Sequence, residues 1–189
     1  MSPIDKRFCP SCGVHVTPFV MFVEGDEVAR CPDCGLTLSD VGEGEHFRIL
    51  EKVIIAEDSA ALINKIAQIL EERRMAEWVT KCADGSEFLT RFVEQLEQKR
   101  LVNLVILDVN MPIINGVNAA IAMRAIEKGY EVKKPVPLLF FTAKQCDETF
   151  KKVLSYTKPA KYINKGVGSS PDEFADRLYQ VLSHLLQRA

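Results

Sequence analysis

The chain reads as an α/β protein, a five-stranded parallel sheet with five helices, preceded by a small cysteine-rich segment. Three observations predict this. Short runs that are apolar at every position, such as Val53-Ile54-Ile55-Ala56 and Leu104-Val105-Ile106-Leu107, alternate with stretches whose apolar residues recur at helical spacing. Strands apolar throughout, each followed by a helix, imply a parallel sheet covered on both faces. Four of the six cysteines, Cys9, Cys12, Cys31 and Cys34, fall in two matched pairs near the start.

The first strand, Val53 to Ala56, is followed by Leu62, Ile63, Ile66, Ile69 and Leu70 on one helical face. Glu77 to Ala83 is a second, less apolar strand. Asp84-Gly85-Ser86-Glu87 has the form of a capping box and opens a helix carrying Phe88, Leu89, Phe92, Val93 and Leu96 inward. Leu104 to Leu107 is the third strand. Asn115 to Lys128 is the next helix, with Gly129 at its C-cap. Pro137 to Phe141 is strand, Asp147 to Ser155 helix, and Lys161 to Ile163 a short strand. Ser170-Pro171-Asp172-Glu173 is a second capping box with proline at the first helical position. It opens a last helix with Phe174, Leu178, Val181, Leu182, Leu185 and Leu186 inward.

The 189 residues suit one domain with a small appendage. Hydrophobic residues make up 47% and charged residues 26%, the balance of a globular chain. The net charge of −2 gives no whole-chain field toward nucleic acid or anionic membrane. Met1 to Phe8 has no apolar signal region, and no apolar run approaches the length of a membrane span. The expectation is a cytoplasmic protein with reduced thiols. Residues 39–46, small, polar and glycine-punctuated, read as a linker. Residues 1–46 hold three Lys/Arg and eight Asp/Glu, net −5, whereas the remainder holds 21 and 18, net +3. The expected organisation is a cysteine segment at 1–38, a linker at 39–50 and the α/β domain at 51–189.

Cys9-Pro10-Ser11-Cys12-Gly13 and Cys31-Pro32-Asp33-Cys34-Gly35 form two like turns with the spacing C-x2-C-x18-C-x2-C. That spacing is a metal-site pattern, and four thiolates favour tetrahedral Zn²⁺ in a closed structural site. The segment resembles a zinc ribbon. Iron, alone or as an iron–sulfur cluster, stays open, since four thiolates bind it too. So short a segment has too little core to fold without its metal. Its acidity argues against nucleic acid and for a protein-docking or packing role, with Phe19-Val20-Met21-Phe22-Val23 as a docking surface or simply as the hairpin strand. Cys82 and Cys146 read as ordinary buried thiols.

In open parallel sheets the chemistry lies at the carboxyl ends of the strands. The first strand ends Ala56-Glu57-Asp58, the third at Asp108, the fourth at Phe141-Thr142-Ala143 and the fifth at Ile163-Asn164-Lys165. Three carboxylates therefore converge with a hydroxyl and an ammonium. Clustered carboxylates repel, and a hard divalent cation such as Mg²⁺ relieves that. Acids, Mg²⁺, a lysine and a hydroxyl suit phosphoryl transfer, and a carboxylate can itself be the nucleophile.

On these residues, together with Met111-Pro112, Gly116 and Tyr162, the chain from about residue 50 resembles a response-regulator receiver domain of two-component signalling. The resemblance implies a flavodoxin-like fold with strand order 2-1-3-4-5. It implies that Asp108 is the phosphoacceptor, and that Glu57, Asp58, Asp108 and the Asn110 carbonyl serve Mg²⁺. Thr142 would bond a phosphoryl oxygen, Lys165 would pair with the phosphate, and Tyr162 would be the aromatic that changes rotamer as Thr142 moves. The sequence departs from the family at Gly166, where receivers usually carry proline. That departure puts the loop geometry after the fifth strand in question. Lys158-Pro159 lies too close to Thr142 to be the family's Lys-Pro pair.

The function expected is that of a response regulator with no output domain after the last helix, phosphorylated on Asp108 by a sensor histidine kinase or phosphotransfer protein. It would signal through a downstream protein partner, catalyse only its own phosphorylation and dephosphorylation, and dimerise through its last two βα units as receivers do. The alternative is a zinc-ribbon adaptor whose receiver-like domain is a phosphorylation-independent scaffold.

Overall fold

The computed structural model describes residues 6–23, 25–38, 48–166 and 170–186. Two antiparallel hairpins come first: β1 (Arg7–Cys9) with β2 (Val14–Val16), and β3 (Phe19–Val23) with β4 (Asp26–Arg30). Then β5 (Leu50–Ala56), α1 (Ala60–Glu72), β6 (Ala76–Cys82), α2 (Gly85–Glu97), β7 (Leu104–Asp108), α3 (Gly116–Gly129), β8 (Leu138–Thr142), α4 (Glu148–Tyr156), β9 (Ala160–Asn164) and α5 (Pro171–Leu186) follow in strict alternation. The five later strands form one parallel sheet in the order β6-β5-β7-β8-β9, the expected 2-1-3-4-5. The expected linker falls mostly outside the described residues, and Leu50 already belongs to β5.

Burial explains the sequence pattern. Every residue of the central strands β7 and β8 is buried, because helices cover both faces. The edge strand β6 is buried only at its two ends, Ala76 and Cys82, and leaves Trp78 68% exposed, which is why it reads as the weakest strand. The other edge, β9, is closed by the N-terminal segment: the Asn164 amide donates to the Ser11 carbonyl at 2.8 Å. An open strand edge invites unwanted pairing, and the first cysteine turn covers this one.

Helix starts follow the sequence. Ser59, Asp84, Asn115 and Asp147 each cap a helix with a side-chain oxygen. Ser170 and Glu173 form the reciprocal box, the Ser170 hydroxyl accepting from the Glu173 amide at 3.2 Å and the Glu173 carboxylate from the Ser170 amide at 2.7 Å. At the other expected box, Asp84 caps as expected, but the Glu87 carboxylate accepts from the Ala83 amide instead.

One helix end differs from the reading. Gly129 is the last residue of α3, Tyr130 is the cap, and the left-handed position falls on Glu131, at φ 55°. The Glu131 amide bonds the Lys128 carbonyl and the Val132 amide the Glu127 carbonyl, which closes the final turn. Arg74 and Lys99 end α1 and α2 in the same way. A non-glycine at such a position is strained, so a search for glycine misplaces the end by two residues.

Candidate functional site

Four chain crossings at the carboxyl edge of the sheet deliver the predicted side chains to one place. Glu57 follows β5, Asp108 ends β7, Thr142 ends β8 and Lys165 follows β9. Asp108 pairs in register with Phe141, Phe141 with Ile163 and Thr142 with Asn164, so the hydroxyl stands one step beyond the level of the acid on β8 and the lysine two steps beyond it on β9. Carboxylate oxygens of Glu57, Asp58 and Asp108 lie within 4.8 Å of one another. Glu57 and Asp108 are buried, whereas Asp58 is exposed. The Lys165 ammonium bridges the two buried acids, 2.6 Å from Glu57 Oε2 and 2.9 Å from Asp108 Oδ1. It also sits 4.8 Å from the centre of the Phe141 ring.

Burial holds the Glu57 carboxyl above its ordinary range. The bond and charge of Lys165 oppose that shift, and the Asp108 charge adds to it. One ammonium thus faces a cluster that can carry three negative charges. The surplus charge and the oxygen-only donor set fit a hard divalent cation. Asn110, proposed through its backbone carbonyl, is exposed in the loop after β7.

Gly116 makes the Asp108 position possible. A Cβ there would lie 1.9 Å from the Asp108 carbonyl oxygen, so α3 can start this close to the strand end only with glycine. The Gly116 amide donates to the Val109 carbonyl at 3.1 Å. Thr142 is buried, and its Oγ1 accepts from the Lys144 amide at 3.1 Å. The Lys165 amide donates to the Thr142 carbonyl at 2.8 Å. Gly166 suits its place: its amide donates to Asn164 Oδ1 at 2.8 Å, a bond proline cannot make. Asn164 Nδ2 in turn donates to the Lys144 carbonyl at 3.0 Å, which ties the loop after β9 to the loop after β8. Lys158 precedes β9 and lies at the other end of that strand from Lys165.

The second cluster is the four cysteines, all unpaired, with sulfur atoms within 4.8 Å of one another. Cys9 Sγ is 3.6 Å from Cys34 Sγ, and Cys12 Sγ is 3.7 Å from Cys31 Sγ. A tetrahedral site with metal–sulfur bonds of about 2.3 Å sets sulfur–sulfur edges of about 3.8 Å, so the thiols fit a four-thiolate metal site. Gly13 and Gly35 take left-handed φ values of 74° and 71°, and their amides donate back to the Cys9 and Cys31 carbonyls at 2.7 and 2.9 Å. Hydrogen bonding to Cys31, then to Cys34 and Cys9, together with burial, holds the Cys12 thiol above its ordinary range. Cys82 and Cys146 are buried, and burial pushes each thiol up to about 12.

The contact between the two clusters was not foreseen. The Tyr162 hydroxyl donates to Cys12 Sγ at 3.0 Å, and the Ser11 hydroxyl donates to the Tyr162 carbonyl. Burial, then the bond to Cys12, pushes the Tyr162 phenol above its ordinary value, so it remains a donor. Arg177 of α5, fully covered, donates to the Pro10 carbonyl at 2.9 Å and to the Asn164 carbonyl at 3.0 Å. Lys151 of α4 reaches the Pro32 carbonyl at 3.1 Å. One signal was available: Arg177 lies three residues after Phe174 and four before Val181, a charge on an apolar helical face.

With this geometry in hand, the family is clear. The model of the response regulator receiver domain matches residues 53–178, and the chain belongs to that family. Among solved structures it resembles chemotaxis protein CheY4 of Vibrio cholerae, with a TM-score of 0.53 and 23% identity over 70% of this chain and 98% of that one. It also resembles the receiver domain of the histidine kinase CKI1 from Arabidopsis thaliana, complexed with Mg²⁺ and BeF3⁻, with a TM-score of 0.56 and 16% identity over 72% of this chain and 90% of that one. At these identities the likeness shows the fold. A curated relative, the protein-glutamate methylesterase/protein-glutamine glutaminase of Methanococcus maripaludis, is 33% identical over 120 residues. The match covers 62% of this chain and 29% of that protein. Among the described residues no helix is long and apolar enough to cross a membrane.

Proposed function

We propose that the chain is a phosphorylation-dependent response regulator of the cytoplasm, with Asp108 as phosphoacceptor. The observation that carries this reading is the Lys165 ammonium bridging the buried carboxylates of Asp108 and Glu57 beside Asp58. The donor is the phosphohistidine of a sensor histidine kinase or phosphotransfer protein. An Asp108 carboxylate oxygen attacks phosphorus, the phosphorus–nitrogen bond breaks, and the imidazole leaves with the electron pair. Glu57, Asp58, Asp108 and the Asn110 carbonyl would hold Mg²⁺, which would supply neutralisation of the phosphoryl charge. Lys165 shifts from the Asp108 carboxylate to a phosphoryl oxygen, and Thr142 turns its hydroxyl to another. The activity stops at self-phosphorylation and hydrolysis.

The four cysteines hold structural Zn²⁺ in this reading, with iron as the competing occupant. The ribbon rests on β9, α4 and α5, so the surface offered to a protein partner by the last two βα units is a composite with the ribbon. Its outer hairpin presents Val20 and Phe22, 51% and 71% exposed, as a docking surface for a downstream protein. Beryllofluoride, a phosphoryl mimic, tests the site. Fluorine NMR of the full chain is expected to show bound fluoride only with Mg²⁺ present and Asp108 intact. Bound signal in Asp108→Ala, or none in folded wild type with Mg²⁺, overturns the reading and leaves the phosphorylation-independent adaptor.

A further inference from the structure

The first cysteine turn is built into the receiver, not tethered beside it. Within four residues β9 and its exit meet both clusters. Tyr162 gives its hydroxyl to Cys12 Sγ and its carbonyl to the Ser11 hydroxyl. Asn164 gives its amide to the Ser11 carbonyl. Lys165 gives its ammonium to Asp108 and Glu57 and its amide to the Thr142 carbonyl. Arg177 then clamps both sides at once, donating to Pro10 of the ribbon and to Asn164 of the strand. Tyr162, Ser11, Asn164, Arg177, Asp108 and Glu57 are buried, and Lys165 is half-buried.

A donor to a metal-bound thiolate fixes the ligand's orientation and withdraws charge from it, and losing such a partner costs about 10–100-fold in metal affinity. Tyr162 stands in that position toward Cys12. It is three residues from a lysine that must change partners when Asp108 becomes charged with a phosphoryl group. The segment Tyr162–Lys165 therefore has two arrangements at its Lys165 end and one thiolate contact at its Tyr162 end.

We infer that the four-cysteine metal site and the Asp108 site are energetically coupled through β9, with Tyr162 as the positioning residue that links them. The inference rests on the metal and phosphoacceptor readings above. A phosphoryl group at Asp108 takes over the Lys165 contact and adds one to Thr142, which joins the ends of β8 and β9 and with them fixes the Tyr162–Cys12 bond. Occupation of one site thus tightens the other, and the factor is the same in both directions by thermodynamic necessity.

The test follows Zn²⁺ release from the full-length, zinc-loaded chain to a chromophoric chelator, with and without Mg²⁺ and beryllofluoride. In wild type the analogue is expected to slow release by about fivefold or more, the lower end of ordinary coupling between sites. Tyr162→Phe, which keeps the ring and removes the hydroxyl, is expected to release zinc about tenfold faster and to lose the response to the analogue. Equal release with and without bound analogue in wild type overturns the coupling, and needs no variant. A full response in Tyr162→Phe overturns the role of that hydroxyl. Metal content before any analogue is added, and fluorine NMR of the analogue, read the two underlying sites separately. Absence of metal sinks the four-thiolate reading, absence of bound analogue sinks the phosphoacceptor reading, and either sinks the coupling with it.

Discussion

Adding one methyl group at either end of α3 is expected to have opposite effects. At Gly116 a Cβ would sit 1.9 Å from the Asp108 carbonyl oxygen and 2.8 Å from its carbonyl carbon, whereas real Cβ contacts essentially never fall under 3.0 Å. Gly116→Ala must therefore open the gap by at least 1.1 Å, the difference between 3.0 and 1.9. Both neighbours are backbone, so no rotamer change relieves the clash. The movement breaks the bond from the Gly116 amide to the Val109 carbonyl, a loss of about 1 kcal/mol, and overpacking adds about 1–3 kcal/mol. The total of about 2–4 kcal/mol lowers Tm by about 5–15 °C in a chain of this size. The Asp108 main chain moves with it, and a misplacement of about 1 Å costs about 100-fold in a reaction governed by positioning. At Gly129 nothing lies within 4 Å of the added carbon, so Gly129→Ala is expected to stabilise by about 0.5–1 kcal/mol through backbone entropy. Urea unfolding with acetyl phosphate labelling reads both effects. Wild-type stability and labelling in Gly116→Ala would refute the close approach. Equal destabilisation by both variants would show that α3 merely tolerates change poorly.

Other substitutions probe the frame around the site. Arg124 pairs with buried Glu127 at 2.6 Å and also binds the Thr157 and Val136 carbonyls, so Arg124→Met strands a buried charge and is expected to cost about 3–5 kcal/mol by urea denaturation. Glu131→Gly relieves a left-handed residue at φ 55° and is expected to raise stability by about 1 kcal/mol, a gain absent if that turn is not left-handed in solution. Cys82, with its thiol at about 12, is expected to resist alkylation in the native chain. At pH 8 its thiolate is about one part in ten thousand, against about one in four for a free thiol. Native labelling should climb about tenfold per pH unit from pH 9 to 11, while the unfolded chain saturates. Equal rates in native and urea-unfolded protein at pH 8 would contradict the burial.

What could be read from sequence followed physical simplicity. Residues such as Val53 to Ala56 and Leu104 to Leu107 are buried on both faces, so an unbroken apolar run carried the strand, and the acid that broke the run marked its end. The cysteine turns were equally plain, since thiolate spacing is set by one ion. Less legible was anything that uses backbone groups. The docking of the ribbon depends on the Pro10, Ser11 and Pro32 carbonyls, and any residue supplies a carbonyl. Helix ends at Arg74, Lys99 and Glu131 hid because their conformation belongs by preference to glycine. Gly166 looked like a defect against the family pattern until its amide was seen bonded to Asn164.

The central claim is that Asp108 accepts a phosphoryl group, and intact mass spectrometry tests it most directly. The full chain is incubated with Mg²⁺ and acetyl phosphate, alongside Asp108→Ala and a wild-type sample held in chelator. One base-labile phosphoryl adduct is predicted on wild type with Mg²⁺, and none in either control. No adduct on folded wild type with Mg²⁺, or an equal adduct on Asp108→Ala, would contradict the account.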